Sequence, residues 1–531
     1  MNPSSDSKIL RMGTRRSLLA LAQSGWVARE IERSNPGVRV EVVGIDTRGD
    51  KILDVPLTSV QGKEFFVAEL DDALKSGRVD FTVHSMKDLS LDRPQEFVLG
   101  AVPTRENQRD IIIFGAHTLA KIARGEPLLI GTSSPRRLEN LPGFLRQALP
   151  WRDGREAQLK FVEIRGNVNT RLSRLREEPS SDRHLDAVVL ALAGLNRLMV
   201  DENGARELGQ LLVSTRLMLL PVTENPAAAA QGALAVECRK EDSFVQGCLE
   251  KIHHEPTRVQ AALERAVLQE WGGGCHQRFG ASAIDHPELG TLLYIKGKRP
   301  TGEDANELRW QAPVLTGGPS WDGSRFRASA SSQNEQEQRE SLQRISEASP
   351  LSPVFIAHHR AVVSETSPFL KEWVDALSDK RVWVSGTASW FQLARHGIWV
   401  EGCAEGFGAE RALQEWLSAR ALRLPVLSSW WVLTHTGADA TWKGITADRR
   451  LTAYSLNLEK KSPQAVEELK SARHVFWASG SQWEIYGKEA RLDATHACGP
   501  GKTAELLRKK GLKPYLFPNS EEWRKSLGAK S

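Results

Sequence analysis

The sequence predicts an α/β protein of several domains, doubly wound and two-lobed over its first half. Three observations carry this. Short apolar strand-like runs alternate with helical segments over residues 8–197, the pattern of sheets covered by helices. Glycine, serine and arginine gather where those strands end, and open α/β sheets bind ligands beyond the carboxyl ends of their strands. Beyond residue 353 the composition changes: eleven of the sixteen tryptophans lie there, which marks a separate unit. A chain of 531 residues is also too long for one core, so about three or four domains are expected.

The bulk composition excludes several classes. Hydrophobic content of 40% and charged content of 26% are ordinary for a globular protein. No apolar run approaches the roughly 18 residues of a membrane span, and residues 1–7 form a polar tail without the apolar stretch of a secretory signal. The five cysteines, Cys238, Cys248, Cys275, Cys403 and Cys498, are odd in number and widely spaced. That argues against a disulfide framework or a zinc site and for a reducing, cytoplasmic setting. A net charge of +5 without a Lys/Arg block does not argue for nucleic acid. Arginines scattered singly or in pairs suit a small polyanion better.

Taken in order, residues 8–12 read as a strand and Gly13-Thr14-Arg15-Arg16-Ser17 as a turn. A helix follows over 18–32, with Leu18, Leu21, Ala22 and Trp26 on one face. Val38, Val40 and Val42 alternate as a strand. A second unit runs from a helix over 66–75 to a strand over 79–83, which ends in His84-Ser85-Met86-Lys87-Asp88. A third strand, 128–130, leads into Gly131-Thr132-Ser133-Ser134-Pro135-Arg136-Arg137. There Ser134 suits an N-cap and Pro135 the first helical position. Free N–H groups, hydroxyls and two guanidinium groups would make a carboxylate or phosphate site. A fourth strand, 161–164, ends in Arg165-Gly166-Asn167 before a helix bearing Arg171. A fifth, 187–192, ends in Ala193-Gly194-Leu195-Asn196-Arg197. Any one of these arginines reads as solvated surface; the set reads as a multi-carboxylate site in one cleft.

Trp271-Gly272-Gly273-Gly274-Cys275-His276 stands apart. Three glycines favour neither helix nor strand, so the thiol sits at a loop. It is reactive if an electropositive setting lowers its pKa, and otherwise the segment is a turn ending in a small apolar residue. Further on, 316–319 is loop, 334–348 a charged helix closing a third domain, and Ser349-Pro350-Leu351-Ser352-Pro353 a linker. The segments 384–397 and 498–511 resemble each other, each a glycine-threonine turn leading into a helix ended by glycine. Two related α/β halves are expected there.

These motifs, in this order, resemble the porphobilinogen deaminases, also called hydroxymethylbilane synthases. The resemblance runs over about residues 8–300. It is carried by Thr14-Arg15-Arg16-Ser17, Thr47-Arg48-Gly49-Asp50, His84 to Asp88, Gly131 to Arg137, Arg165-Gly166-Asn167 with Arg171, and Ala193 to Arg197. Gln231-Gly232-Ala233, Glu237-Cys238-Arg239, His253-His254-Glu255 and Gly273-Gly274-Cys275 complete it. It implies two periplasmic-binding-protein-like α/β lobes, residues 1–103 with 217–240 and residues 104–216, and a small α+β cofactor domain over 241–348. It also implies a dipyrromethane cofactor joined to Cys275 through a thioether. Four porphobilinogen molecules would condense on that primer head to tail, each losing ammonia. Asp88 would stabilise the charge developing on the pyrrole, and Lys87 would position carboxylates or assist proton transfer. Lys87, Asp88, Ser134, Arg136, Arg137 and Arg165 would hold the cofactor. Arg15, Ser17, Arg171 and Arg197 would hold substrate, and Asp50, Lys63 and Phe66 would belong to a mobile lid. The family's lid has Gly-Gly-Lys-Gly-Leu-Phe where this chain has Gln61-Gly62-Lys63-Glu64-Phe65-Phe66. His276-Gln277-Arg278-Phe279 is more polar than usual, residues 145–160 are lengthened, and the 221–231 crossover carries extra alanines.

Residues 354–531 resemble uroporphyrinogen-III synthase through Gly499-Pro500-Gly501-Lys502-Thr503-Ala504, Ser479-Gly480-Ser481 and Tyr454. That resemblance implies a C-terminal region of two Rossmann-like halves, with Tyr454, Ser479 and Thr503 as candidate contacts. The family's opening strand and helix have no counterpart after the linker, and its Thr-Ser turn reads Ala357-His358-His359. A degenerate docking domain, or a non-catalytic two-lobed anion binder, remain alternatives. A cysteine hydrolase lacks an orienting Asn or Asp for His276. The protein is expected to act as a monomer.

Overall fold

The computed structural model describes residues 7–47, 67–272, 277–326, 335–363, 369–436, 442, 444–455, 461–491 and 493–528. Among them the strands form five sheets.

The first lobe opens with β1 (Lys8–Arg15), β2 (Val38–Ile45), β3 (Phe81–Ser85) and β4 (Phe97–Ala101). β1 and β2 pair in parallel across the helix Leu18–Ser34, so the predicted βαβ unit is present. Its strand runs longer than expected: Gly13 to Arg15 continue β1. The chain then crosses to a second lobe of β5 (Asp110–Phe114), β6 (Leu128–Gly131), β7 (Leu159–Val162), β8 (Ala187–Ala191) and β9 (Arg216–Leu219). Their order is β7-β6-β8-β5-β9. Residues 220–233 cross back to β10 (Leu234–Arg239), which lies antiparallel between β3 and β4 and closes the order β2-β1-β3-β10-β4. Two crossovers, 102–109 and 220–233, therefore join the lobes. A three-stranded antiparallel sheet follows, β11 (Phe279–His286), β12 (Gly290–Lys298) and β13 (Asp304–Arg309), with the helix Glu255–Glu270 packed on it.

The rest of the chain is an additional parallel-sheet α/β region. β14 (Ser320–Asp322) leads, and β15 (Pro353–Ile356), β16 (Arg381–Val384), β17 (Val400–Cys403), β18 (Trp431–His435) and β19 (Arg450–Tyr454) form the sheet β17-β16-β15-β18-β19. β20 (His474–Trp477), β21 (Thr495–Cys498) and β22 (Tyr515–Leu516) join β14 in a second sheet. Two features differ from the expected organisation. β14 lies before the linker expected at 349–353, yet pairs with β20. The helix Glu335–Glu347, expected to close the third domain, lies on β19 and the helix Leu370–Leu377 instead. Its apolar positions are few, so packing partners rather than sequence period decide where it lies.

The second lobe and this region share one core. Phe114, Leu128 and Phe144 cluster with Trp373, Trp390 and Trp399, all buried. Phe144 meets Trp390 edge-on at 5.4 Å, and Phe114 meets Trp399 at 4.9 Å. The lengthened segment 145–160 serves this contact. The Trp390 indole donates to the Ala148 carbonyl (2.9 Å), and the Trp151 amide donates to Ala394 (2.8 Å).

Candidate active site

Strand ends and helix starts bring Arg15, Ser17, Lys87, Asp88 and Arg197 to one cavity. Arg15 ends β1, and Ser17 caps the helix Leu18–Ser34 by accepting from the Ala20 amide. β3 ends in a turn, Met86–Asp88. Three hydrogen bonds from the Arg265 guanidinium to the carbonyls of Met86, Leu89 and Ser90 (2.8–3.0 Å) hold that turn against the helix Glu255–Glu270. Gly232 must be glycine: it takes φ +87, and a Cβ there would meet the Glu106 carbonyl at 2.4 Å.

These elements enclose a cavity of about 160 Å³ between the lobes, lined by Arg15, Ser17, Lys87, Asp88, Arg197 and Gln231, among others. Asp88 is exposed into it. Lys87 keeps some open surface but lies deep, 3.4 Å from the Gln231 amide oxygen. Its pKa falls below the usual lysine value, mainly through desolvation and against the pull of Asp88.

Arg136 and Arg137 are engaged differently from the expectation of ligand contacts alone. Asp110, fully buried, accepts from Arg136 Nη2 (2.7 Å) and from Arg137 Nε and Nη2 (3.0 and 2.7 Å). Gln231 Nε2 donates to the same carboxylate at 2.8 Å. Two guanidinium groups therefore share one counter-charge, and one buried nitrogen, Arg136 Nε, has no hydrogen-bond partner. Asp110 titrates far below the carboxylate range, the two arginines overcoming its desolvation. Ser134 occupies the N-cap position of Pro135–Ala148, but its side chain makes no capping bond. Ser133 instead bonds the Ile164 carbonyl.

Arg165 and Arg171 flank this group on the 165–171 turn and helix, which Asn167 caps. Arg165 buries one Nη2 without a hydrogen-bond partner. Arg171 donates to the Gly166 carbonyl (2.8 Å) and Arg197 to the Gly232 carbonyl (2.7 Å). Neither makes an ion pair among the described residues. Desolvation drives both down to about 10, helped at Arg171 by Arg137 and Arg165 and opposed at Arg197 by Glu106. Buried cations short of carboxylate partners are costly unless an anion arrives. Bidentate forks suit planar carboxylates.

Cys275, Asp50, Lys63 and Phe66 lie outside the described residues. Behind the cleft, Asp71, His84 and Glu237 come close enough to hold a metal ion. Arg93 already pairs with both carboxylates at 2.6 Å, which offsets one of their two charges. In the C-terminal region Tyr454 is buried at the end of β19 beside His435, its hydroxyl pushed up to about 12 by desolvation. Ser479 caps the helix Gly480–Tyr486 through the Gln482 amide, and Thr503 lies in the helix Lys502–Lys509. Among the described residues no hydrogen bond joins these three. Sequence reasoning missed Asp110, Arg265 and Glu264. Only the arginine pair, calling for a counter-charge, hinted at the first.

The fold and cleft together define a two-lobed α/β protein whose cleft gathers cationic side chains near one exposed carboxylate. A family profile described as "Porphobilinogen deaminase, dipyromethane cofactor binding domain" matches residues 10–247. The porphobilinogen deaminase of Trichlorobacter lovleyi is 41% identical over 286 residues, 54% of this chain and 82% of that one. That of Shouchella clausii is 41% identical over 273 residues, covering 51% and 78%, and that of Synechococcus elongatus 38% over 283, covering 52% and 79%. The chain belongs to the porphobilinogen deaminase family. Its first half is a porphobilinogen deaminase with a dipyrromethane-binding domain. No helix among the described residues is long and apolar enough to cross a membrane.

Proposed function

We propose that the chain makes hydroxymethylbilane by condensing four porphobilinogen molecules, and that its C-terminal region is a uroporphyrinogen-III synthase fused to the deaminase. The observation that carries the first part is the run of buried or half-buried guanidinium groups, Arg137, Arg165, Arg171 and Arg197, supplied with fewer carboxylates than charges. A dipyrromethane on Cys275 would lie against Lys87, Asp88, Ser134, Arg136, Arg137 and Arg165. When bound, it supplies the pyrrole α-carbon to which the first ring is joined. Arg15, Ser17, Arg171 and Arg197 orient the incoming carboxylates. Asp88, on the turn that Arg265 holds, accepts from the pyrrole N–H and stabilises positive charge as ammonia leaves. Lys87, its pKa lowered mainly by desolvation, receives or returns a proton at Nζ. Asp50, Lys63 and Phe66 act as the lid.

β9 belongs to the second lobe's sheet, so we move the boundary expected at 216/217 and divide the deaminase into residues 1–103 with 220–240, residues 104–219, and a cofactor domain from 241 to about residue 310. Two parallel sheets support the cyclase reading, since β14 supplies the opening strand that has no counterpart after the linker. Tyr454, Ser479 and Thr503 all stand at or just beyond the carboxyl ends of parallel strands, where ligands are expected.

Incubation with porphobilinogen tests both parts. Ammonia release with two pyrrole units covalently attached to the protein, lost in Cys275→Ala, supports the deaminase; bare mass and no turnover overturns it. Type III uroporphyrinogen as product supports the cyclase, and type I alone overturns it.

A further inference from the structure

The two lobes are joined by two crossovers, and their relative setting fixes where Asp110, Gln231 and Lys87 meet. Carboxylates from outside the lobes hold both crossovers at once. Glu264, on the helix Glu255–Glu270, accepts from Arg105 of the first crossover (2.8 Å) and from the Ala230 amide of the second (2.6 Å). Glu405 does the same from the opposite side. It stands in the loop after β17, in the C-terminal region, with its side chain 1% exposed. Its Oε1 accepts from Arg109 Nε (2.6 Å) and its Oε2 from the Thr223 amide (3.1 Å). Arg109 ends the first crossover and directly precedes Asp110; Thr223 lies near the start of the second. Glu405 takes φ +55, a left-handed conformation uncommon for a residue with a side chain. The same arginine also meets Glu415 of the helix Ala409–Ser418 at 2.9 Å.

We propose that Glu405 is a positioning residue for the deaminase, a clasp by which the C-terminal region sets the angle between the lobes. One carboxylate bridging both strands of a two-strand hinge restrains that hinge more than two separate contacts would, because neither crossover can shift without losing the shared partner. Through Arg109 the clasp adjoins Asp110, and through Asp110 it reaches Arg136, Arg137 and Gln231. The C-terminal region is then part of the deaminase's working geometry, whatever chemistry it carries itself.

The test is hydrogen exchange on the full chain, read separately at residues 103–110 and 220–226, in Glu405→Ala and Glu405→Gln. The alanine variant is expected to exchange about tenfold faster at both crossovers. The glutamine variant keeps an oxygen for the Thr223 amide but loses the ion pair, so acceleration is expected at 103–110 alone. It also preserves the shape of the site, which keeps the test usable if the alanine variant fails to fold. Faster exchange confined to residues 400–416, or unchanged exchange at both crossovers, overturns the proposal. A kinetic arm rests on the proposed deaminase reaction. Turnover of porphobilinogen is expected to fall about fivefold in Glu405→Gln with KM changed less than twofold, and unchanged turnover beside loosened crossovers also overturns it. Absence of turnover in the unaltered protein would instead count against the proposed reaction, and the exchange arm stands apart from it.

Discussion

In the proposed reaction Asp88 is the one reacting anion, and the guanidinium groups near it are holding cations. Asp88 is exposed, and among the described residues its side chain makes no hydrogen bond or ion pair that an amide in its place would break. Asp88→Asn is therefore expected to lower turnover by about 100-fold or more while leaving the thermal midpoint within a degree or two. A matched fall in stability would sink its catalytic role. Arg171 and Arg197 predict the opposite pairing. Each is desolvated without an ion pair, so Arg197→Met should not lower the melting temperature of the enzyme, yet should raise KM for porphobilinogen at least tenfold; calorimetry and steady-state assays read the two effects. His84 sets a pH dependence. Burial, and next the charge of Arg93, depress its pKa from 6.5 to about 4. A depressed histidine stabilises the fold fully above the unfolded value near 6.5, and that contribution drains away as pH falls towards 4. It amounts to on the order of 3 kcal/mol. Urea midpoints should fall between pH 6.5 and 4, and less steeply in His84→Gln.

At the scale of elements, the arrangement depends on struts between neighbouring units. Glu264 is wholly buried and serves Arg105, the Ala230 amide and the Ala283 amide together. Removing it strands a buried guanidinium and two amides. Glu264→Ala is expected to destabilise by about 3–5 kcal/mol, and a denaturant midpoint close to that of the unaltered protein would refute the strut. The helix Glu335–Glu347 shows why elements were easier to foresee than their neighbours. Its existence follows from strong helix formers over 13 residues, whereas its docking on β19 depends on Ser341 bonding the Thr452 carbonyl at 3.3 Å, over a hundred residues away. The strand ends bearing Arg15, Arg165 and Arg197 were legible because strand pattern and turn residues are local. Asp110 was not: it opens the buried strand β5, and nothing in its immediate sequence distinguishes a charge that will lie between two arginines.

Over the whole molecule, the second lobe does not have a core of its own. Phe114, Leu128, Phe144 and Leu145 close against Trp390, Leu393 and Trp399. A chain ending at residue 312 would open that face to water, an exposed apolar surface of the kind that drives association. It is expected to aggregate or to melt well below the full chain, by light scattering and thermal scans. A soluble monomer with the full melting temperature would refute the shared core. Trp390→Ala in the full chain should cost about 3–5 kcal/mol for the same reason.

The sequence alone determined the α/β class and the deaminase family and pointed to five residues that line the cavity, because motif spacing and strand pattern act over a few residues and survive without knowledge of neighbours. Only the tertiary structure decided which charges meet. It set Asp110 between Arg136 and Arg137, laid β14 and the helix Glu335–Glu347 in the C-terminal sheets, and brought Glu405 onto both crossovers. Those contacts join residues tens to hundreds of positions apart, and their energies depend on burial, which no local pattern records.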